Sequence, residues 1–345
     1  MMRDNSPGEP AAWSIDAFRP ADAEGVVKLY YSIYGDQYPV KAVYDPAELI
    51  RQNGDGDAYR VVARTAAGEI VGHIALYRST PPNRDLYEQG QLMVRQDYRA
   101  TDIAAKLFVS ATVDVPERYG MEQIWGEAVC NHLVTQQMTA KRGFYATAVE
   151  VALMPGESYA KAFSRPSEDA GRVAILAVFH TYKAKPQTIF LPEVYEETLR
   201  ILYSAYPFGH NFVRSRQDLP EGVATRAKVD VFAGAGVARV TLLTAGQDFA
   251  AYIEKVQQQV VAEGAAVIQF FLPLSWPHVG AAVAALRGCG CFLGGFLPRW
   301  FDGDGLLMQR VLAEPNFAGI NLYTKQAKGI LDVVYKDWQA VTRSG

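Results

Sequence analysis

The sequence predicts an α/β (α+β) chain of two successive domains, each a mixed, mostly antiparallel sheet flanked by helices. Three observations carry that expectation. The chain has 345 residues, long for one compact α/β domain and comfortable for two of roughly 150–170 residues. Segments that alternate apolar and polar residues switch repeatedly with segments of helical apolar spacing. A Ser/Pro/Glu-rich stretch then separates two halves in which this rhythm partly repeats. The reading divides the chain into a domain over 1–156, a linker over 157–171 and a domain over 172–345. At 49% hydrophobic and 21% charged residues, the composition suits a sizeable buried core.

In the first half, 14–18 reads as a strand, and Asp22 is placed to cap a helix over 23–34 with Val26, Val27, Tyr30 and Ile33 on one side. Pro39 and Pro46 bracket a loop, and 46–52 reads as a short helix. Strands over 59–65 and 69–79 flank the hairpin signal Ala66-Ala67-Gly68. A strand over 90–94 precedes a helix over 103–115, whose Ile103, Ala104, Leu107, Phe108 and Ala111 share a face. A strand over 123–129, a helix over 132–142 closed by Gly143, and a strand over 146–154 complete this half.

The most informative segment runs from Leu92 to Phe108. An apolar strand enters a short loop centred on Arg99, and an amphipathic helix follows at once. Such a junction aims unpaired backbone N–H groups and the positive end of a helix dipole at one point, which suits a pyrophosphate. Ala100, Thr101, Ile103, Ala104 and Ala105 supply donors and close backbone approach, and Arg99 supplies a cation. The segment resembles the acyl-CoA-binding motif of the GNAT acyltransferase superfamily, written Arg/Gln-x-x-Gly-x-Gly/Ala and here Arg99-x-x-Asp102-x-Ala104. The order of elements from Phe18 to about Met154 is similar to the GNAT order. It is supported by Phe18-Arg19-Pro20-Ala21-Asp22, Gly68-Glu69-Ile70-Val71-Gly72 and Lys141-Arg142-Gly143-Phe144. The resemblance implies an acetyl-CoA or related acyl-CoA co-substrate, with Met93 and Val94 bonding its pantetheine arm through the main chain; Asn131 fits a further cofactor contact or a helix N-cap equally. Asp102 stands where the family prefers Gly; facing inward, its carboxylate would repel phosphate by about 1 kcal/mol or more.

Beyond the linker, strands are expected over 172–181, 228–232, 236–243, 265–272, 292–301 and 306–312, with helices over 192–206, 248–263, 278–287 and 320–341. The order parallels the first half and reads as a second, diverged GNAT-like domain. It lacks the cofactor signature. Thr244-Ala245-Gly246-Gln247-Asp248-Phe249 stands at the corresponding place, and a helix N-cap accounts for Asp248.

The resemblance implies direct attack of an amine on the thioester, with a general base and a Tyr acid. The family Tyr position is Thr139 here, whose hydroxyl is a far weaker acid, and Tyr145 is the nearest substitute. Candidate bases are Glu127, Glu88 and His132. Glu127 equally fits a cross-strand ion pair, and His132 a helix-capping or cofactor-contacting residue. Neutral imidazole is favoured at a helix N-terminus. Tyr30, Tyr31, Tyr34, Tyr38 and Tyr44 either wall an acceptor pocket for a flat or cationic amine or pack as a core stripe. The expected function is acyl-CoA-dependent transfer to an amine, and one alternative is kept beside it. The first makes the chain an N-acyltransferase acting on a small-molecule or peptide amine. The alternative is a non-catalytic acyl-CoA sensor or interaction module, which Asp102, Thr139 and the second half's missing loop favour.

With a net charge of −3 and no Lys/Arg run, no nucleic-acid partner is expected. No apolar run reaches the roughly 18–20 residues of a membrane span, and 1–12 carries no signal-peptide pattern. Cys130, Cys289 and Cys291 cannot form a disulfide framework, and a reduced cytoplasmic setting is expected. Cys289-x-Cys291 has no second Cys/His cluster nearby, and His180, His210 and His278 show no ligand spacing, so no metal is expected, while His73, alone on its strand, reads as a structural residue. Edge strands in both halves leave a homodimer open.

Overall fold

The computed structural model describes residues 11–38, 40–156, 171–206 and 208–343. Pro39 and nearly all of the expected linker lie outside the described residues. The fold is mixed α/β, with mostly antiparallel sheet flanked by helices. The described residues form two compact units, one within 1–79 and 87–121 and the other within 80–86 and 122–345. Their border does not coincide with the division expected at 157–171. Strand β7 (Arg172–Thr181), from beyond that stretch, pairs with β5 (Gln123–Val129) and β6 (Tyr145–Pro155) from before it.

In the first unit, β1 (Trp13–Ala17), β2 (Ala58–Thr65), β3 (Ile70–Tyr77) and β4 (Tyr87–Val94) pair antiparallel in that order. Helix α1 (Ala23–Tyr34) buries Val26, Val27, Leu29 and Tyr30 against Phe18, Val62, Ile70 and Leu49 of α2 (Pro46–Gly54). Asp22 does not cap α1 as expected. Its carboxylate accepts from Arg19 N–H at 2.7 Å and is gripped by both arms of Arg64, at 2.9 and 2.6 Å. Arg64 also reaches Asp16 at 2.6 Å, so one guanidinium ties β2 to β1 and to the entry of α1. Helix α3 (Ile103–Thr112) lies across β3. A Cβ on Gly72 would stand 2.8 Å from Ile103 and 2.9 Å from Leu107, so glycine allows the close approach. The helix expected to Val115 breaks at Val113, and α4 (Asp114–Tyr119) follows. Pro116 has no N–H to offer the Thr112 carbonyl, which accounts for the break.

In the second unit, eight strands run in the order β5-β7-β6-β13-β14-β12-β11-β10, antiparallel except for the parallel pair β11–β12. The later strands are β10 (Arg226–Phe232), β11 (Val237–Thr244), β12 (Val267–Pro273), β13 (Phe292–Leu297) and β14 (Gly305–Val311). The order around the β6–β13 junction is palindromic. On each side a strand, a helix and two further strands follow in sequence, and the last strand inserts between the other two. The helices are α5 (Val134–Lys141) between β5 and β6 and α8 (Val279–Gly288) between β12 and β13. Between β7 and β10 lie β8 (Thr188–Leu191), α6 (Glu196–Tyr203) and β9 (Asn211–Arg214); β8 and β9 form a separate parallel pair that the sequence reading missed. Helix α7 (Phe249–Ala262) links β11 to β12, and α9 (Lys325–Thr342) packs on β13 and β6. Asp248 does not cap α7 as expected, because its Oδ1 accepts from Thr225 N–H and Oγ1 at 2.9 and 2.6 Å.

This sheet curls on itself. Five strands separate β5 from β11, which in a flat sheet would set them about 29 Å apart. Yet Arg239 Nη2 of β11 lies 2.8 Å from Glu127 Oε1 of β5. Trp125, Phe179, Phe271, Trp300 and Leu86 share a core cluster with Leu297 and Leu307. The β6–β13 junction pairs Ala148 with Gly295, whose φ is +138°. A Cβ there would meet Thr147 O at 2.2 Å and the Ala148 Cα at 2.6 Å. Gly295→Ala should therefore lower the melting temperature by about 4 °C or more. Gly288→Ala, which meets nothing within 4 Å, should leave it within about 1–2 °C. Differential scanning calorimetry reads both, and equal melting temperatures would contradict the close approach.

Candidate functional site

The strand–loop–helix expected from the sequence is present in the first unit. Arg95 N–H donates to Val71 O at 2.9 Å as β4 ends, and a 3₁₀ turn over Gln96–Tyr98 follows. Tyr98 is buried and anchors the loop, its carbonyl accepting from Thr101 N–H and Oγ1 at 3.1 and 2.7 Å. Arg99 is exposed and its Nε donates back to Val94 O at 3.2 Å. Thr101 Oγ1 lies 3.4 Å from Ile103 N–H, and the next first-turn amides, Ala104 and Ala105, have no preceding helical carbonyl to bond. Asp102 turns along the helix to Lys106, 3.1 Å away, and both side chains are mostly exposed.

Strand β4 is kinked upstream of this loop. Gln91 has φ +59°, uncommon for a residue with a side chain. The register against β3 moves from His73↔Met93 to Ala75↔Gly90, so β4 carries one extra residue, a bulge. His73 Nδ1 lies 3.1 Å from Gln91 O, and Tyr30 OH donates to Gln91 Oε1 at 2.8 Å. Beyond the bulge Met93 and Val94 are buried. Before it, the Tyr77 hydroxyl donates to Glu88 Oε1 at 2.5 Å, and a Cβ on Gly90 would stand 2.8 Å from that hydroxyl. The tyrosines of α1 and the following loop cluster as rings. Tyr30–Tyr38 and Tyr34–Tyr38 centroids are 5.1 and 5.0 Å apart, and Tyr31–Tyr44 centroids 4.7 Å.

The nine expected cofactor contacts from Met93 to Ala105 are thus brought together on one unit. The other expected site residues, Glu127, Asn131, His132 and Tyr145, belong to the second. Glu127 lies in a network with Arg239, which also donates to Gln269 Oε1 at 2.9 Å; Gln269 in turn donates to Glu150 at 2.7 Å. His132 is half-buried, which lowers its pKa, and its Nδ1 accepts from Val134 N–H at 3.3 Å. That tautomer carries its proton on Nε2. Asn131 is exposed and does not cap α5, which starts at Val134. Tyr145 packs against Tyr206 with ring centroids 4.7 Å apart. Thr139 is buried and its hydroxyl donates to Thr135 O and Gln136 O.

A cavity of about 380 Å³ lies elsewhere on the first unit, lined by Asp16, Tyr59, Asp114, Arg118 and Tyr119 among others. None of the expected site residues lines it. Among the described residues no group of His, Cys, Asp and Glu is placed to hold a metal ion, and no helix is long and apolar enough to cross a membrane. Burial pushes the Cys130 thiol up to about 12 and raises Cys289 and Cys291 as well.

No protein-family profile matches the chain, and no curated protein matches it. Solved structures do. A GNAT-family acetyltransferase from Staphylococcus aureus is 17% identical, with a TM-score of 0.36, over 50% of this chain and 100% of that one. The ribosomal-protein-S18-alanine N-acetyltransferase of Escherichia coli is 10% identical, with a TM-score of 0.38, over 50% and 96%. Spermidine N-acetyltransferase from Vibrio cholerae, solved with CoA and spermine, is 13% identical, with a TM-score of 0.37, over 49% and 95%.

His73 is fully buried, and burial, then the charge of Arg60, lowers its pKa from 6.5 to about 3. The folded state therefore keeps it neutral while the unfolded state protonates below about 6.5. Its contribution to stability is complete above that pH and is lost as pH falls toward 3. Between pH 7.5 and pH 5, the stability difference between the native chain and His73→Gln should shrink by about 2 kcal/mol. Urea unfolding at the two pH values measures it, and a constant difference would contradict the buried neutral imidazole.

Proposed function

We propose that this chain is an acyl-CoA-dependent N-acyltransferase of GNAT type, using acetyl-CoA or a related acyl-CoA. The single observation that carries the reading is the junction of bulged β4, the Arg99 loop and the α3 N-terminus. Open first-turn amides at Ala104 and Ala105 suit phosphate oxygens, small residues at 100, 104 and 105 allow close approach, and Arg99 adds an exposed cation. Asp102 does not stand against this, because its carboxylate is turned to Lys106. Main-chain groups of Met93 and Val94 are the contacts for the pantetheine arm. The repeated order, β5-α5-β6-β7 and then β12-α8-β13-β14, supports reading the C-terminal half of the chain as a diverged GNAT-like domain without a cofactor loop.

The reaction requires an amine nitrogen to attack the thioester carbonyl carbon, a C–S bond to break with release of the thiol, and a base to take the ammonium proton. Among the three candidate bases we assign that role to Glu88. It shares β4 with the acyl-CoA contacts, and Tyr77 orients its Oε1. Glu127 already has its Oε1 engaged by Arg239 Nη2 at 2.8 Å, in the second unit. His132 uses its lone pair on Val134 N–H. The acceptor is an amine of small-molecule or peptide type.

Isothermal titration with acetyl-CoA should give micromolar binding, weakened at least tenfold by Arg99→Ala. Asp102→Asn should change the dissociation constant by no more than about twofold, since an exposed pair contributes little. No binding by the native chain, to acetyl-CoA or to longer acyl-CoAs, would favour the interaction-module reading. Glu88→Gln should lower kcat with an accepted amine by about a hundredfold or more, with acetyl-CoA affinity unchanged. Full turnover in that variant would remove Glu88 from the mechanism.

A further inference from the structure

We infer that His73 and Tyr30 are positioning residues that clamp Gln91 in its left-handed conformation and so fix how β4 presents Met93 and Val94; this rests on the acyl-CoA reading above. The bulge has no glycine to make it easy. Gln91 holds φ +59° with a full side chain, so neighbouring groups must over-determine it. Two do, from different elements. The Gln91 carbonyl can only accept, so the 3.1 Å contact makes His73 Nδ1 the protonated nitrogen. The Gln91 side-chain oxygen accepts from the Tyr30 hydroxyl of α1 at 2.8 Å.

Both clamp residues are fully buried, and their rings lie 5.8 Å apart. Neither can exchange Gln91 for water. One group fixes the backbone of the bulge and the other fixes its side chain, so α1 and β3 together set where β4 shifts phase. Because a one-residue insertion turns every later residue to the opposite face, the clamp decides the presentation of Leu92, Met93 and Val94.

Two substitutions of one residue separate this role from simple stabilisation. Gln91→Gly and Gln91→Val both remove the amide that Tyr30 holds. Glycine adopts φ +59° freely, whereas a β-branched residue resists it. Acetyl-CoA affinity by calorimetric titration should stay within threefold of native in Gln91→Gly and fall more than tenfold in Gln91→Val. In the ligand-free protein, the backbone amide resonances of Met93 and Val94 should move in Gln91→Val and in His73→Leu and hold in Gln91→Gly. Native affinity in Gln91→Val, or unmoved Met93 and Val94 resonances, would overturn the clamp. If the native chain binds no acyl-CoA, the functional reading fails by itself and the resonances alone decide the clamp.

Discussion

The contact of α3 with Gly72 of β3 is the constraint on which the candidate site depends. A helix can aim its N-terminal amides only where its packing holds its axis, and here Ile103 and Leu107 of its first turns rest where a side chain would otherwise stand. Gly72 pairs with Val94, the last residue of β4. The strand that would carry the pantetheine arm and the helix that would carry the phosphates are thus referenced to the same residue. Loop geometry follows from this: Tyr98 plugs the loop from beneath, and Arg99 reaches back to the Val94 carbonyl.

In the second unit the corresponding constraint is electrostatic. Arg239 closes a strongly curled sheet by reaching from β11 to Glu127 of β5, with Gln269 and Glu150 completing the hydrogen bonds. The guanidinium and Glu127 are both half-buried, and Glu150 and Gln269 behind them are buried, so the cation sits where its donors are met. A sequence reading that sees Glu127 as a catalytic carboxylate and one that sees a cross-strand ion pair begin from the same pattern. Arg239, more than a hundred residues away, separates them.

Much of the fold was legible because local and tertiary demands agree. Helix α1, strands β5 and β7 and the helix start at Ile103 follow apolar periodicity that the core then uses. What was hidden is non-local. Asp22 and Asp248 carry the residue type and position of helix caps, yet Arg64 and Thr225 take their oxygens. The insertion of β7 between β5 and β6 cannot be read from a linker-like composition. The short pair β8–β9 has too few residues for periodicity to register. Of the candidate site, the Arg99 loop was readable from its own residues. The bulge at Gln91 was not, because a glutamine gives no local sign of a positive φ; the buried His73, read as structural, was the one available hint.

The central claim is that an acyl-CoA seats its pyrophosphate on the first turn of α3. The most direct measurement is a crystal structure of the chain grown with saturating acetyl-CoA. The account predicts phosphate oxygens within hydrogen-bond distance of the Ala104 and Ala105 amides, with the pantetheine arm along Met93 and Val94. Ligand density only in the cavity beside Asp16 and Arg118, or an α3 N-terminus with no ligand at saturation, would contradict it.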